Sequence, residues 1–256
     1  MWDIVYFVKD TKVNEELKYS VRSLKNFPHN KVWFYGGCPD GLKPDHHIYI
    51  KQDQPTKWQN IFEMFKLACK NKDITKNFWL FNDDFFVMKP VKDGPNYYDG
   101  SLYKRVVTLE DNHNGITPYS QQLRYTLQEL ESMGCTTINY ALHTPMLINK
   151  NKGIELSNII NGPMIRCAYG NYFKVGGQQH SDFKIDSLTK TYKDGDYLST
   201  NDKSFNNGAV GQQIKEIFND KCKYEYWWAC KLPKLLERSV LCPVVVRSVV
   251  KSVNKW

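Results

Sequence analysis

The sequence predicts an α/β domain built on a mainly parallel sheet with helices packed on its faces. Three observations predict it. Strand-like and helix-like segments alternate through the first half of the chain, the order that parallel sheets require. One of the strands is an unbroken apolar run, as expected for a strand buried on both sides. The composition, 41% hydrophobic and 24% charged over 256 residues, is that of an ordinary globular chain long enough to bury a full core.

The first strand is expected over 3–8, where Ile4, Val5, Tyr6, Phe7 and Val8 follow one another. A helix is expected over 14–26, with Leu17, Val21 and Leu24 on one face. Glu15 and Glu16 occupy its first turn, where negative charge complements the helix dipole. Val32, Trp33, Phe34 and Tyr35 form the next strand, ended by Gly36 and Gly37. A short strand over 48–50 precedes a helix opened by Thr56, in which Trp58, Ile61, Phe62, Phe65 and Cys69 recur at helical spacing. Phe78, Trp79, Leu80 and Phe81 then run straight into Asn82, Asp83 and Asp84, and a further apolar stretch covers 85–88.

The second half is more mixed. Helices are expected over 120–133, with Leu123, Leu127 and Leu130 apolar, over 150–160, and over 210–220. A strand is expected over 137–142, leading into His143, Thr144 and Pro145. The stretch 170–207 is rich in Gly, Asp, Ser and Asn and is expected to form long loops of the kind that cover substrates.

Ligands of parallel sheets bind at the carboxyl ends of the strands, which is where Asp83 and Asp84 fall. Two adjacent carboxylates between apolar strands are costly without a positive partner. Mg2+ or Mn2+ supplies such a partner and also neutralises a diphosphate leaving group. A solvated turn is the plain alternative. His143, at the end of the expected strand, suits a general base or a structural histidine equally. His180, after Gly176 and Gly177, is a weaker candidate, and the pair His46 and His47 is expected to be structural.

Several stretches together resemble a known family. Phe81-Asn82-Asp83-Asp84-Phe85-Phe86 is similar to the Asn-Asp-Asp element of the Stealth sugar-phosphate transferases, relatives of the GT-A glycosyltransferases. In the same order along the chain, the strand Asp3 to Val8 with Asp10 resembles the family's opening strand and its acid. Leu17-Lys18-Tyr19-Ser20-Val21-Arg22-Ser23-Leu24 resembles one of its helices. His143-Thr144-Pro145 followed by Asn149-Lys150 is similar to its histidine-proline block, Arg166 to a later arginine, and Ser199-Thr200-Asn201-Asp202 to a final Asn-Asp element.

The resemblance implies a GT-A-like, Rossmann-like fold and a metal-dependent transferase using a nucleotide-sugar donor. Asp83 and Asp84 would hold Mg2+ or Mn2+, and Asn82 would bond the donor ribose or sugar. Arg22 or Arg166 would clamp phosphate, since guanidinium binds phosphate bidentately. Asp10 would contact the donor base or ribose, and His143 or a nearby carboxylate would activate an acceptor hydroxyl. The opening acid motif is shorter than the family's and the chain is shorter than many relatives, so transfer of a sugar and transfer of a sugar phosphate both stay open.

The net charge of +8 is concentrated at the C-terminal end, where 231–256 holds six basic residues and one acidic one. Arg247, Lys251 and Lys255 are spaced by four among six valines, a basic stripe beside an apolar face. The expected organisation is therefore a transferase domain over 1–230 and a basic amphipathic segment over 231–256. The acceptor is expected to be a polymer: surface or capsular polysaccharide, with a peripheral membrane contact through 243–256, or hydroxylated bases of phage DNA. A non-catalytic carbohydrate- or nucleic-acid-binding protein is the rival from another class.

The 13 Phe, 16 Tyr and 7 Trp serve a core first and a sugar cleft second. Seven scattered cysteines without CxxC spacing point away from a zinc ribbon or a disulfide framework. No phosphate-loop, dinucleotide or hydrolase-elbow motif is present. With no signal-peptide pattern and no apolar run of membrane-spanning length, a cytoplasmic setting, extending to the inner face of the membrane, is the expectation.

Overall fold

The computed structural model describes residues 1–92 and 94–226. The basic segment 231–256, with its stripe of Arg247, Lys251 and Lys255, lies outside the described residues.

The chain forms β1 (Asp3–Val8), α1 (Glu15–Ser23), β2 (Val32–Gly36), β3 (His46–Ile48), α2 (Lys57–Lys70), β4 (Asn77–Phe81) and β5 (Phe85–Val87). It continues through β6 (Tyr97–Tyr98), α3 (Leu102–Asn112), α4 (Pro118–Ser132), β7 (Met146–Asn149), α5 (Lys150–Ser157) and α6 (Ile165–Tyr172). The last elements are β8 (Gln178–Gln179), β9 (Tyr197–Ser199), α7 (Asp202–Asn207) and α8 (Ala209–Ile217).

The central sheet has the order β3-β2-β1-β4-β7. The pairs β1–β2, β1–β4 and β2–β3 are parallel, and only β7 runs antiparallel, against β4. This is the α/β architecture the alternating segments predict. Successive strand residues point to opposite faces. Val5, Trp33, Tyr35, Phe78 and Leu80 pack into one core with α2, α4 and α6, and Ile4, Tyr6, Val8, Phe34, Trp79 and Phe81 pack into another with α1, β5 and β9. Both faces are dry, which is why Phe78–Phe81 is apolar throughout. A third cluster joins Phe86 and Leu198 to Phe205, Val210, Ile214 and Phe218 of the last helices.

Local signals fix the helix starts. Asn14 caps α1 through Leu17 N at 2.9 Å, and Thr56 forms a reciprocal capping box with Gln59. Thr117 and Ser120 do the same for α4, which therefore begins at Pro118, two residues ahead of the expected start.

The second half departs from expectation in specific places. Residues 137–142 form no strand; the sheet strand is β7 at Met146–Asn149. The buried Asn171 side chain explains this: its Oδ1 accepts from Ile138 N at 2.7 Å and its Nδ2 donates to Ile138 O at 2.8 Å. The backbone there is satisfied by a side chain and by the segment 99–102 instead of by a neighbouring strand. Helices α3, α6 and α7 are additions to the expected set, and α7 falls inside the expected loop stretch. Among the described residues no helix is long and apolar enough to cross a membrane.

Candidate active site

The strand order reverses between β1 and β4, each of which has neighbours continuing to opposite sides. Open α/β sheets bind ligands in the crevice outside the carboxyl ends at such a point. Gly36, at φ +105°, ends β2 where an added Cβ would lie 2.2 Å from Val8 O, so the strand ends converge only because glycine stands there.

Asn82, Asp83 and Asp84 form the turn from β4 to β5 at this rim. Asp83 Oδ2 accepts from Asn14 Nδ2 at 2.7 Å, so the residue that caps α1 also holds the first acid. Asp84 Oδ2 accepts from Ser199 Oγ at 3.0 Å and from Lys184 Nζ at 3.4 Å. Glu16, in the first turn of α1, is buried beside them, and Thr200 Oγ1 donates to its Oε1 at 2.6 Å. Burial first, then the neighbouring Asp84, pushes the Asp83 carboxyl up to about 6. Burial, then the charges of Asp84, Asp83 and Asp202, pushes Glu16 up to about 8 against the opposing bond from Thr200. The rim is thus a cluster of three acids, Glu16, Asp83 and Asp84, of which Asp84 is paired with Lys184.

Among the described residues, no three His, Cys, Asp or Glu side chains are grouped to hold a metal ion on their own. Mg2+ and Mn2+ sites that work on phosphates need only one or two protein carboxylates, the remaining ligands being substrate oxygens and water. Asp83 and Asp84 fit that donor set.

Beside the acids lies a cavity of about 240 Å³ walled by Phe7, Trp58 and Tyr119 and carrying Asn82, His143 and Arg166. Arg166, in the first turn of α6, donates from Nη2 to Asn82 Oδ1 at 2.9 Å and lies over the Phe85 ring at 5.0 Å. Its Nε is buried without a hydrogen-bond partner among the described residues. Burial lowers this guanidinium to about 10, although Asp84 pulls the other way. His143 sits in a bend ahead of β7, not at a strand end. Its Nδ1 is 2.9 Å from Asp182 Oδ2 and its backbone N donates to Asp182 Oδ1 at 3.0 Å. Its Nε2 is 3.4 Å from Lys184 Nζ. Burial would raise Asp182, but the hydrogen bonds and charge of His143, with Arg105 at 3.9 Å, hold it below the usual carboxylate range.

The fold thus gathers Asn82, Asp83, Asp84, His143 and Arg166 at one place. Asp10 lies on the same rim, exposed, accepting from Tyr49 Oη at 3.1 Å. Arg22 does not join them. It is buried and bonds Glu225 through Nε at 2.7 Å and Nη2 at 2.8 Å, while Nη1 donates to Phe218 O and Asn219 O. With four of its five N–H groups so used, Arg22 anchors the chain around 218–225 to α1, and a phosphate clamp at this position is replaced by that ion pair. His180 is exposed and stacks on Phe183 at 4.2 Å. His46 stacks on Trp33 at 3.9 Å and His47 Nε2 is 3.0 Å from Gly36 O, both structural contacts.

Sequence reasoning missed Glu16, Asp182, Lys184 and Ser199 as members of the site. A signal existed for Glu16. It begins a polar stripe with Ser20 and Ser23 at helical spacing, and both serines bond the β5 backbone, at Phe85 O and Val87 N. Asp182 and Lys184 lie in irregular chain with no local pattern to mark them.

No family model matches the sequence and no curated protein is similar to it, so the resemblance to the Stealth transferases stands on the motifs alone. Among solved structures, the chain is similar to an active-site variant of LgtC, with 12% identity and a TM-score of 0.46 over 91% of this chain and 98% of that one. It is similar also to the galactosyltransferase LgtC in complex with donor and acceptor sugar analogs, with 11% identity, a TM-score of 0.44 and the same coverage.

Proposed function

We propose that this protein is a divalent-metal-dependent transferase that moves a sugar, or a sugar 1-phosphate, from a nucleotide-sugar donor to an acceptor hydroxyl. The observation that carries the reading is the acid pair Asp83–Asp84 at the carboxyl end of β4, at the reversal of the strand order and beside a cavity holding His143, Asn82 and Arg166. Mg2+ or Mn2+ on the two aspartates would neutralise the diphosphate of the donor and its leaving group. Arg166, whose Nε has no partner among the described residues, suits a donor phosphate oxygen, since a buried N–H group left unbonded is costly until an acceptor meets it. Asn82, bonded by Arg166 through its Oδ1, keeps its amide N–H groups for a ribose or sugar hydroxyl. The aromatic walls, Phe7, Trp58 and Tyr119, suit the apolar face of a pyranose and keep water from the donor. The motif resemblance to the Stealth family supports a polysaccharide acceptor.

Asp84→Ala is expected to lower nucleotide release from the true donor by at least about 10²-fold, the loss typical of removing a group that stabilises developing charge. Its circular dichroism should match the parent. Excess EDTA should do the same to the parent protein, with recovery on adding Mn2+. Turnover untouched by both treatments removes the metal reading.

A further inference from the structure

Resting on the transferase reading, we infer that Asp182 is the positioning residue that sets His143 up as the base for the acceptor hydroxyl, with Nδ1 protonated and the Nε2 lone pair facing the cavity. The partners of the ring admit one neutral arrangement. Asp182, an ionised carboxylate, only accepts, so Nδ1 must carry the hydrogen at 2.9 Å from Oδ2 and 3.0 Å from Oδ1. Lys184, an ammonium, only donates, so Nε2 at 3.4 Å from Nζ must offer its lone pair. A hydrogen on Nε2 would set two donors against each other.

Asp182 is itself held on two sides. Its Oδ1 takes the backbone N–H of His143 at 3.0 Å, and Arg105 Nη2 stands 3.9 Å from Oδ2. One carboxylate thereby fixes the main chain and the ring of the same histidine, and with them the angle at which Nε2 enters the cavity. Phe85 closes the ring from another side, edge-on at 6.3 Å between centroids. Lys184 links this unit to the acid pair, because its Nζ is also 3.4 Å from Asp84 Oδ2.

The step follows from that geometry. The acceptor hydroxyl displaces Lys184 from Nε2 and gives its proton to that nitrogen. Its oxygen pair forms the bond to the electrophilic centre of the donor, either the anomeric carbon or the phosphorus. The bond from that centre to the leaving phosphate oxygen breaks, and the electron pair departs with the nucleotide. The imidazolium so formed keeps its Nδ1–H on Asp182, whose charge stabilises it, and later releases the Nε2 proton to solvent.

Asp182→Asn tests this without changing the shape of the site. A carboxamide can donate to Nδ1 and so favours the opposite tautomer. In protein labelled with 15N-histidine, long-range 1H–15N spectra should show His143 protonated at Nδ1 in the parent and at Nε2 in the variant. With the nucleotide sugar that a panel screened in Mn2+ identifies as donor, kcat should fall roughly 10²–10⁴-fold while KM moves little. Asp182→Asn should add almost nothing in a His143→Ala background, as for groups that act as one unit. A parent ring protonated at Nε2, or a variant with unchanged kcat, overturns the proposal. Failure of every nucleotide sugar to turn over would sink the transferase reading by itself, while the spectra still decide whether Asp182 sets the tautomer.

Discussion

A carboxyl raised to about 8, as that of Glu16 is, remains largely protonated in the folded protein at neutral pH, whereas in the unfolded chain it ionises near 4.5. The folded state therefore binds more protons through the window from about 4.5 to 8. Stability accordingly declines as pH rises across it, the reverse of a salt-bridged acid. Asp83, raised to about 6, contributes in the same sense over the lower part of that window. Glu16→Gln keeps the acceptor for Thr200 Oγ1 but removes the charge. In EDTA the variant should melt above the parent at pH 8, with the gap closing toward pH 5, as followed by thermal denaturation. Parallel curves would mean that Glu16 is not held in its neutral form. Asp83 and Asp84 were legible in the sequence because they interrupt two apolar strands at the carboxyl end of a parallel one, where ligands of such sheets bind. Glu16 is harder to read, because an acid in the first turn of a helix suits the helix dipole whether it faces water or a buried cluster, and only its spacing with Ser20 and Ser23 sets it apart.

Helix α6 is an element that local preference alone does not predict. Gly170 and Asn171 in its last turns are poor helix formers, worth up to about 1 kcal/mol each against alanine. Tertiary packing explains both. A Cβ on Gly170 would lie 2.5 Å from Cδ2 of the buried Tyr140 ring. Asn171 satisfies the backbone at Ile138 and also takes Thr136 Oγ1 at 2.9 Å. These two residues fasten the stretch that leads to His143 onto the helix that carries Arg166, so the imidazole and the guanidinium are placed by one joint. Gly170→Ala sets a propensity gain of about 1 kcal/mol against overpacking of about 1–3 kcal/mol. Overpacking should win, lowering the urea midpoint with an unchanged slope, and a raised midpoint would show that Tyr140 has room to yield. The expected strand over 137–142 failed for the same reason: its backbone partners come from a side chain more than thirty residues away, which no periodicity reports.

Across the whole molecule, the parallel part of the sheet was legible because β1, β2 and β4 are local apolar runs and because the helices after β1 and β3 open on the capping residues Asn14 and Thr56. The irregular region between α6 and α7 was not, because Asp182, Lys184 and Ser199 reach the site through contacts spanning from about 40 to more than 100 residues of chain. What the architecture brings together should respond to ligand as a unit. A correct nucleotide sugar with Mn2+, at about 100 times its Kd, stabilises a folded protein by about 2.7 kcal/mol. For a chain of this size that is a rise of several degrees in Tm, readable by scanning fluorimetry. The rise should be absent with the sugar alone in EDTA. Equal shifts with and without the cation would point to donor binding that does not use the acid pair.

Among the described residues, the antiparallel strand β7 is the only strand paired to the outer side of β4, through the register Phe78–Ile148 to Leu80–Met146 and the bond from Asn149 Nδ2 to Asn77 Oδ1 at 2.7 Å. During translation, β4 is made some 65 residues before that partner. At about 5–20 residues per second, its open edge waits for several seconds. Through that interval the nascent polypeptide carries a sticky apolar ribbon of Phe78, Trp79, Leu80 and Phe81, the kind of edge that recruits other unfinished copies. Chaperone occupancy on the ribosome should therefore peak while 82–145 is being synthesised, and chains terminated ahead of Met146 should self-associate instead of folding.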